Sequence, residues 1–431
     1  MTVHSRLATR IGLIVVSLFA AHHVMAATAA EHSPALVRSA SPDWPQWRGP
    51  QRDGISDETG LLPSWPDAGP TCLWKATGIA NGYSSPIVVG DTVYVTGDKG
   101  DDLVIRAFAL DGSPRWTAIN GKAWNGSFPG ARASCAYDDG KLYHMNAHGR
   151  LACLDAATGR ELWAVDVLDR FEAQNIMWGI TESVLVHDGL VFATPAGAKG
   201  LMVALDKRTG DTVWATGPLA EEQASYASPI LLAVGQRRLL VNSATKRAFA
   251  VDAKDGQLCW QMPQADPKNT VTTTPILAGN RLVFTNSSRN YGAVFCVAFD
   301  GLPGDKAWST ELSVSHGGLV CVDNRLCGAS SRGVAKGWLA IDAAAGTPKS
   351  VGELPPGSIV HADNRFYCLA ENGVMTLQQL TGEGFKTVGS FRLAEGKDAW
   401  AHPVICKGRL FLRYHDTLFC YDVRQAAPAK P

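Results

Sequence analysis

The sequence has no excess charge of either sign. Lys plus Arg and Asp plus Glu are both 40 in 431 residues, and the pI is about 7.1. That balance leaves no basic field for nucleic acid or for an anionic membrane surface. Past the N-terminus there is no long charge-free apolar run, so no transmembrane segment is expected. The ten cysteines include no adjacent pair and no CxxC, and no Cys/His spacing suits zinc. Cys153, Cys296, Cys368 and Cys420 are expected at one equivalent position, on the third strand of successive units, where they would act as buried thiols too far apart to bond. There is also no GxSxG elbow, no HExxH, no phosphate-cradling GxxxxGK[ST] and no EF-hand loop. No catalytic and no metal-ligating residue is therefore assigned. The run Asp98 to Asp102 reads as a solvated turn, with a surface cation site as the sharper alternative.

What is present begins with a secretory layout. His4, Arg6 and Arg10 precede the apolar run 11–21, and Val24-Met25-Ala26 stands before Ala27. Residues 1–26 are read as a signal peptide cleaved near Ala26, which sends the chain to the periplasm or outside the cell. No Cys follows the cleavage point closely, the first being Cys72, which argues against a lipid anchor. Residues 27–43 read as a flexible leader and 425–431 as a flexible tail, flanking a single domain, 44–424. Its opening string DWPQWRGPQRDGIS has no strand period and is expected to clasp a face of the domain through Trp44 and Trp47.

The domain is built on a repeated hairpin. LACLDAATGRELW at 151–163 returns as LMVALDKRTGDTVW at 201–214 and RAFAVDAKDGQLCW at 247–260. Looser copies end at Trp116, at Trp308 and near Val351. The tryptophans step by 47, 51, 46 and 48 residues from Trp116 through Trp163, Trp214, Trp260 and Trp308. Units of that size with several short strands each are the mark of a propeller array. The fold class is all-β, an eight-bladed β-propeller of four-stranded antiparallel blades. The last unit lacks an outer strand and the strand around Trp74 lacks a unit, so the latter is expected to complete the former and close the ring. Seven blades is the alternative, with the units near Val351 or Phe391 irregular.

In such a ring, the residues preceding each first strand surround one mouth of the central funnel. Tyr83, Arg132, Trp178, Glu182, Tyr226, His316, Trp400 and His402 are the candidate ligand-binding residues. Arg132 could pair with a carboxylate or phosphate, Glu182 could bind a cation or act as a base, and the tryptophans could stack on a ring. The competing structural reading is an internal Arg132–Glu182 ion pair with aromatics filling the channel. His316 and His402 lie on different units and are not read as a metal pair. Arg413, His415 and Asp416 are secondary candidates that would reach the funnel from below the mouth.

The A-x-D-x-x-x-G-x-x-x-W pattern at the end of each unit resembles the pyrroloquinoline quinone (PQQ)-type propeller repeat over nearly all of 44–424. WPQWRGPQRDGIS, GYSSPIV, WGITESVLVHDGLVFATPAG and WAHPVICKGRLFLRYHD resemble exported PQQ-binding-like propellers of bacteria. The resemblance implies the fold first. It extends to quinoprotein alcohol dehydrogenases, which use PQQ and calcium, and to the propeller lipoprotein of outer-membrane protein assembly. A dehydrogenase of that type would show adjacent cysteines over the quinone, which this sequence lacks. The reading is thus a monomeric, exported, non-catalytic propeller that binds a protein, polysaccharide or small ligand at the funnel mouth. A PQQ-dependent oxidoreductase and an envelope-assembly scaffold are the alternatives.

Overall fold

A computed structural model describes residues 33–41, 43–264, 270–287, 292–352, 355–393 and 395–426. The stretch read as a signal peptide, its expected cleavage point and residues 427–431 of the expected tail lie outside these residues. The chain forms eight antiparallel sheets. Blades 1 to 7 span 87–122, 136–166, 185–215, 230–263, 276–310, 319–352 and 357–392. Blade 8 combines 404–422 with Thr71–Ala76, which pairs antiparallel with Thr417–Asp422. The N-terminal strand around Trp74 therefore closes the ring, and the count is eight, not seven. The two weaker units are regular: 348–352 and 385–392 each supply a fourth strand.

The repeated hairpin explains how blades meet. In blade 2, Asp155 Oδ1 accepts from Thr158 N and Thr158 Oγ1, folding the turn that returns the chain to Trp163. Each tryptophan then reaches the next blade. Trp74, Trp116, Trp163, Trp214 and Trp308 donate Nε1–H to Leu110, Ala156, Lys207, Ala253 and Ala343 carbonyls at 3.0–3.2 Å. Their rings lie flat on a glycine of that blade. A Cβ on Gly159 would sit 2.5 Å from Trp116, and one on Gly256 would sit 2.4 Å from Trp214. Both glycines also hold φ near +74°, so the repeat's glycine meets a steric and a conformational demand at once. Trp74 on Gly112 makes the same lock across the closure.

The residue before the tryptophan is bulged out of the ladder, because Trp163 pairs with Cys153 while Glu161 pairs with Leu154. Leu73, Leu162 and Val213 occupy that bulge, which accounts for their exposure on the rim. All ten cysteines are free. Cys153, Cys296 and Cys420 lie on third strands as expected, but Cys368 lies on the second strand of blade 7, 365–370. The weak repeat there had hidden a shift of one strand.

The N-terminal segment does more than clasp a face. First strands of neighbouring blades touch around the axis, and the segment threads among them. Ala35–Leu36, inside the stretch read as leader, pairs with Leu232–Ala233 of blade 4. Trp44 bridges Val88 of blade 1, Pro45 O accepts from Tyr137 N of blade 2, and Trp47 Nε1 donates to Thr274 Oγ1 of blade 5 at 2.9 Å. Arg52 donates to Ser183 O and Val184 O at blade 3 and Arg48 to Leu319 O of blade 6. Ser56 binds His361 O of blade 7 and Ile405 O of blade 8. One short segment thus bonds to all eight blades and plugs the axis. Burial lowers the Arg48 guanidinium to about 10 and that of Arg52 to about 9.

Candidate functional site

The plug turns the funnel into a blind cavity of about 460 Å³ at the mouth, with Trp47 in its lining. This lies within the usual range for a ligand pocket. One wall is an arc of rings. Trp400 stands 4.7 Å from Tyr83, 5.3 Å from Phe128 and 4.4 Å from His316, and Trp178 is 5.4 Å from Tyr226 (ring centroids). Phe128 joins the halves at 6.5 Å from Trp178. The other wall is hydroxyls: Thr270, Thr272, Thr274, Ser313, Ser315 and Ser331, from the later blades. Trp400 Nε1 and Thr272 Oγ1 are shielded from solvent with no hydrogen-bond partner among the described residues.

Of the eight candidate residues, Tyr83, Arg132, Trp178, Tyr226, His316 and Trp400 line this cavity, and Glu182 and His402 lie behind its wall. The chain leading into the first strand of blade 3, 185–187, alternates its side chains: Thr181 and Ser183 face the cavity and Glu182, between them, does not. Glu182 Oε2 accepts from Thr194 N at 3.0 Å, Oε1 is unpartnered, and burial pushes its carboxyl up to about 8 despite the nearby Arg52. The Arg132–Glu182 ion pair of the competing structural reading does not form. Arg132 instead donates to the carbonyls of Gly130, Ser127 and Phe128, and its guanidinium lies 5.4 Å from the Trp124 ring. It clamps the loop that carries Phe128, a residue held at φ +55°, onto the aromatic arc.

His402 is a core histidine. Its Nε2 bonds His316 O at 2.8 Å, its ring contacts Trp47, and burial lowers it to about 3. His316 pairs loosely with Glu371 at 3.7 Å and stacks on Trp400. Arg413, read as a possible funnel residue, is fully buried. It joins blade 8 to blade 1 by donating to Ser84 O, Thr96 O and Ala80 O, and folds onto its own turn through His415 O. Asp98, read as part of a solvated turn, is on a strand and partly buried. Its Oδ2 accepts from Trp124 N, and burial raises it to about 6.

Sequence reasoning missed Phe128, Arg332 and Trp47 as cavity residues. The Ser/Thr-rich strings TVTTTP and SVSHGG at the mouth positions of blades 5 and 6 were a legible signal for the hydroxyl wall. Nothing in the sequence marked Arg332, which comes from the turn between the second and third strands of blade 6.

Fold and site together define a plugged eight-bladed propeller with a blind cavity at one mouth. The chain belongs to the propeller family whose model is described as "Outer membrane protein assembly factor BamB", matched over residues 101–349. It is 26% identical over 219 residues to the outer membrane protein assembly factor BamB of Nitrosomonas eutropha, covering 46% of each chain. It is 29% identical over 139 residues to quinohemoprotein alcohol dehydrogenase ADH-IIG of Pseudomonas putida, covering 30% of this chain and 19% of that one. The chain thus spans less than half the length of these curated relatives. Among solved structures, BamB of Moraxella catarrhalis superposes with a TM-score of 0.60 at 17% identity, over 84% of this chain and 100% of that one. Quinohemoprotein alcohol dehydrogenase of Comamonas testosteroni gives 0.64 at 15%, over 90% and 82%. At these identities the likeness shows the fold.

The family resemblance raises PQQ with calcium, and the donor set does not fit it. Among the described residues the cavity lining holds no carboxylate and no cysteine, and no group of three or more His, Cys, Asp or Glu could hold a metal. The buried carboxylate behind the wall, Glu182, already has Arg52 of the plug as its neighbouring cation. No helix among the described residues is long and apolar enough to cross a membrane.

Proposed function

We propose that this chain is an exported binding propeller that captures a ligand in the plugged cavity at the funnel mouth. The observation that carries the reading is the two-sided wall, rings facing hydroxyls above a closed floor. Such a wall can hold a ring by its apolar face and its polar edge together. Binding rather than turnover is favoured because the carboxylate and the histidine at the mouth with strongly shifted titration, Glu182 and His402, are sealed behind the wall. A thermal-shift panel of saccharides and quinones, PQQ with calcium included, tests it on the intact chain and on Trp178→Ala. The reading expects at least one saccharide to raise the melting temperature in the parent and not in Trp178→Ala. A calcium-dependent shift with PQQ alone would move the assignment to quinone chemistry.

A second reading, an envelope-assembly scaffold, is supported by the family match and by relatives named as assembly factors. Its test is crosslinking in the native envelope. A stable complex with an outer-membrane protein supports it, and recovery of the uncomplexed chain alone counts against it.

A further inference from the structure

We infer that the ligand of the mouth cavity is an acidic saccharide, a pyranose carrying a carboxylate, and that Arg332 is the residue that reads the acid. The inference rests on the reading of the mouth as a binding site and adds the chemical class of what it binds.

The charge in the cavity has one sign. Arg132 and Arg332 line it, and no described lining residue is acidic. The two guanidiniums do different jobs. Arg132 spends its terminal nitrogens on three carbonyls of its own loop. Arg332 is exposed and its side chain has no hydrogen-bond or ion-pair partner among the described residues. Its five N–H donors are open to a carboxylate, which a guanidinium can bind through two parallel bonds.

The position of Arg332 is fixed although its side chain is free. Its carbonyl accepts from Ser313 N at 3.0 Å and from Ser330 Oγ at 2.6 Å. The next residue, Gly333, holds φ +105°, and a Cβ there would lie 2.1 Å from Glu311 O. The backbone that presents Arg332 therefore has one conformation, and little ordering of main chain remains to oppose binding. The hydroxyls of blades 5 and 6 line the same cavity as Arg332 and the ring arc. A flat aromatic acid would use the rings and Arg332 but leave the hydroxyls without partners. A neutral sugar would use rings and hydroxyls and leave Arg332 idle. A uronate uses all three.

The test is calorimetric titration of the intact chain with trimers of galacturonate and of mannuronate, each compared with its methyl ester, which keeps the ring and removes the charge. We expect at least one acid trimer to bind, with affinity that falls as salt rises, and its ester to bind at least about tenfold more weakly. Arg332→Gln should cost the acid about tenfold and leave the ester unchanged, and Arg332→Lys should restore part of the loss. Equal binding of acid and ester, or an Arg332→Gln variant that binds the acid as well as the parent, overturns the proposal. If neither acid trimer binds while a neutral saccharide or quinone gives a shift abolished by Trp178→Ala, the acidic class is wrong and the mouth site stands. If no ligand of either panel gives such a shift, both fall.

Discussion

The rim and the mouth of this propeller are built from the same strands and obey opposite rules. At the rim five of the eight blades repeat one lock, a tryptophan laid on the next blade's glycine with its N–H on a neighbouring carbonyl. At the mouth the positions four residues before the first strands hold Tyr83, Arg132, Thr181, Tyr226, Thr272, Ser315 and Trp400, no two neighbouring blades agreeing. A lock between identical units must itself be identical, whereas one asymmetric ligand needs a different group from each blade. Repetition therefore marks architecture, and its breakdown marks the place where chemistry can differ. Trp47, Arg48 and Arg52 of the plug belong to the second kind, since a single segment meets eight different partners.

That contrast can be broken first at the seam. Arg413→Met removes the buried guanidinium that holds three carbonyls of blade 1, taking a donor from each. The expected loss is about 3 to 5 kcal/mol of unfolding free energy, read by denaturant titration. Gly256→Ala attacks one copy of the rim lock, where the added methyl must displace the Trp214 ring and φ is +74°. A loss of about 2 to 4 kcal/mol is expected, with ligand binding at the mouth retained.

Glu182 sharpens the comparison through pH. Burial raises its carboxyl from 4.5 to about 8 in the folded state. Its favourable contribution is thus fully present below about pH 4.5 and is lost as pH rises through about 8. His144 and His402, lowered by burial to about 4 and about 3, act at the acid end. Their contribution is present above their unfolded value of about 6.5 and is lost as pH falls. Between about pH 6.5 and 8 the Glu182 effect therefore dominates, because the buried thiols and the Arg52 and Arg413 guanidiniums act above that range. The melting temperature of the parent should fall across that window, and that of Glu182→Gln should stay nearly flat. The smallest effect on stability is expected from Arg132→Ala, within about 1 kcal/mol, because it frees only an exposed loop. Hydrogen exchange should nonetheless quicken at residues 126–130, and mouth binding should weaken as Phe128 loses its place.

The sequence carried the propeller, its blade count and the closure through Trp74 because the rim lock needs residues at fixed spacing, and spacing is what a sequence displays. The ring of mouth positions was legible for the same reason, as the residues before each first strand. Which of them face the cavity was not. Glu182 and Ser183 differ by one chain position, and that decides between wall and core. Arg132 invited an ionic partner, but its nearest acceptors are carbonyls of its own loop, whose path depends on the positive φ of Phe128. Arg332 was invisible because a turn from another part of blade 6 folds it over the mouth. The plug segment had no period at all, so its course through the axis could only come from the assembled ring.

The most direct measurement is amide hydrogen exchange along the whole chain, with and without the strongest binder of the saccharide and quinone panel. Protection confined to the mouth segments around Tyr83, Phe128, Trp178, Tyr226, Ser313, Arg332 and Trp400, with the rim hairpins at 155–163 and 206–214 unchanged, is the predicted result. Protection on the rim hairpins, or none at the mouth while binding is saturated, would contradict the division of labour between the two regions.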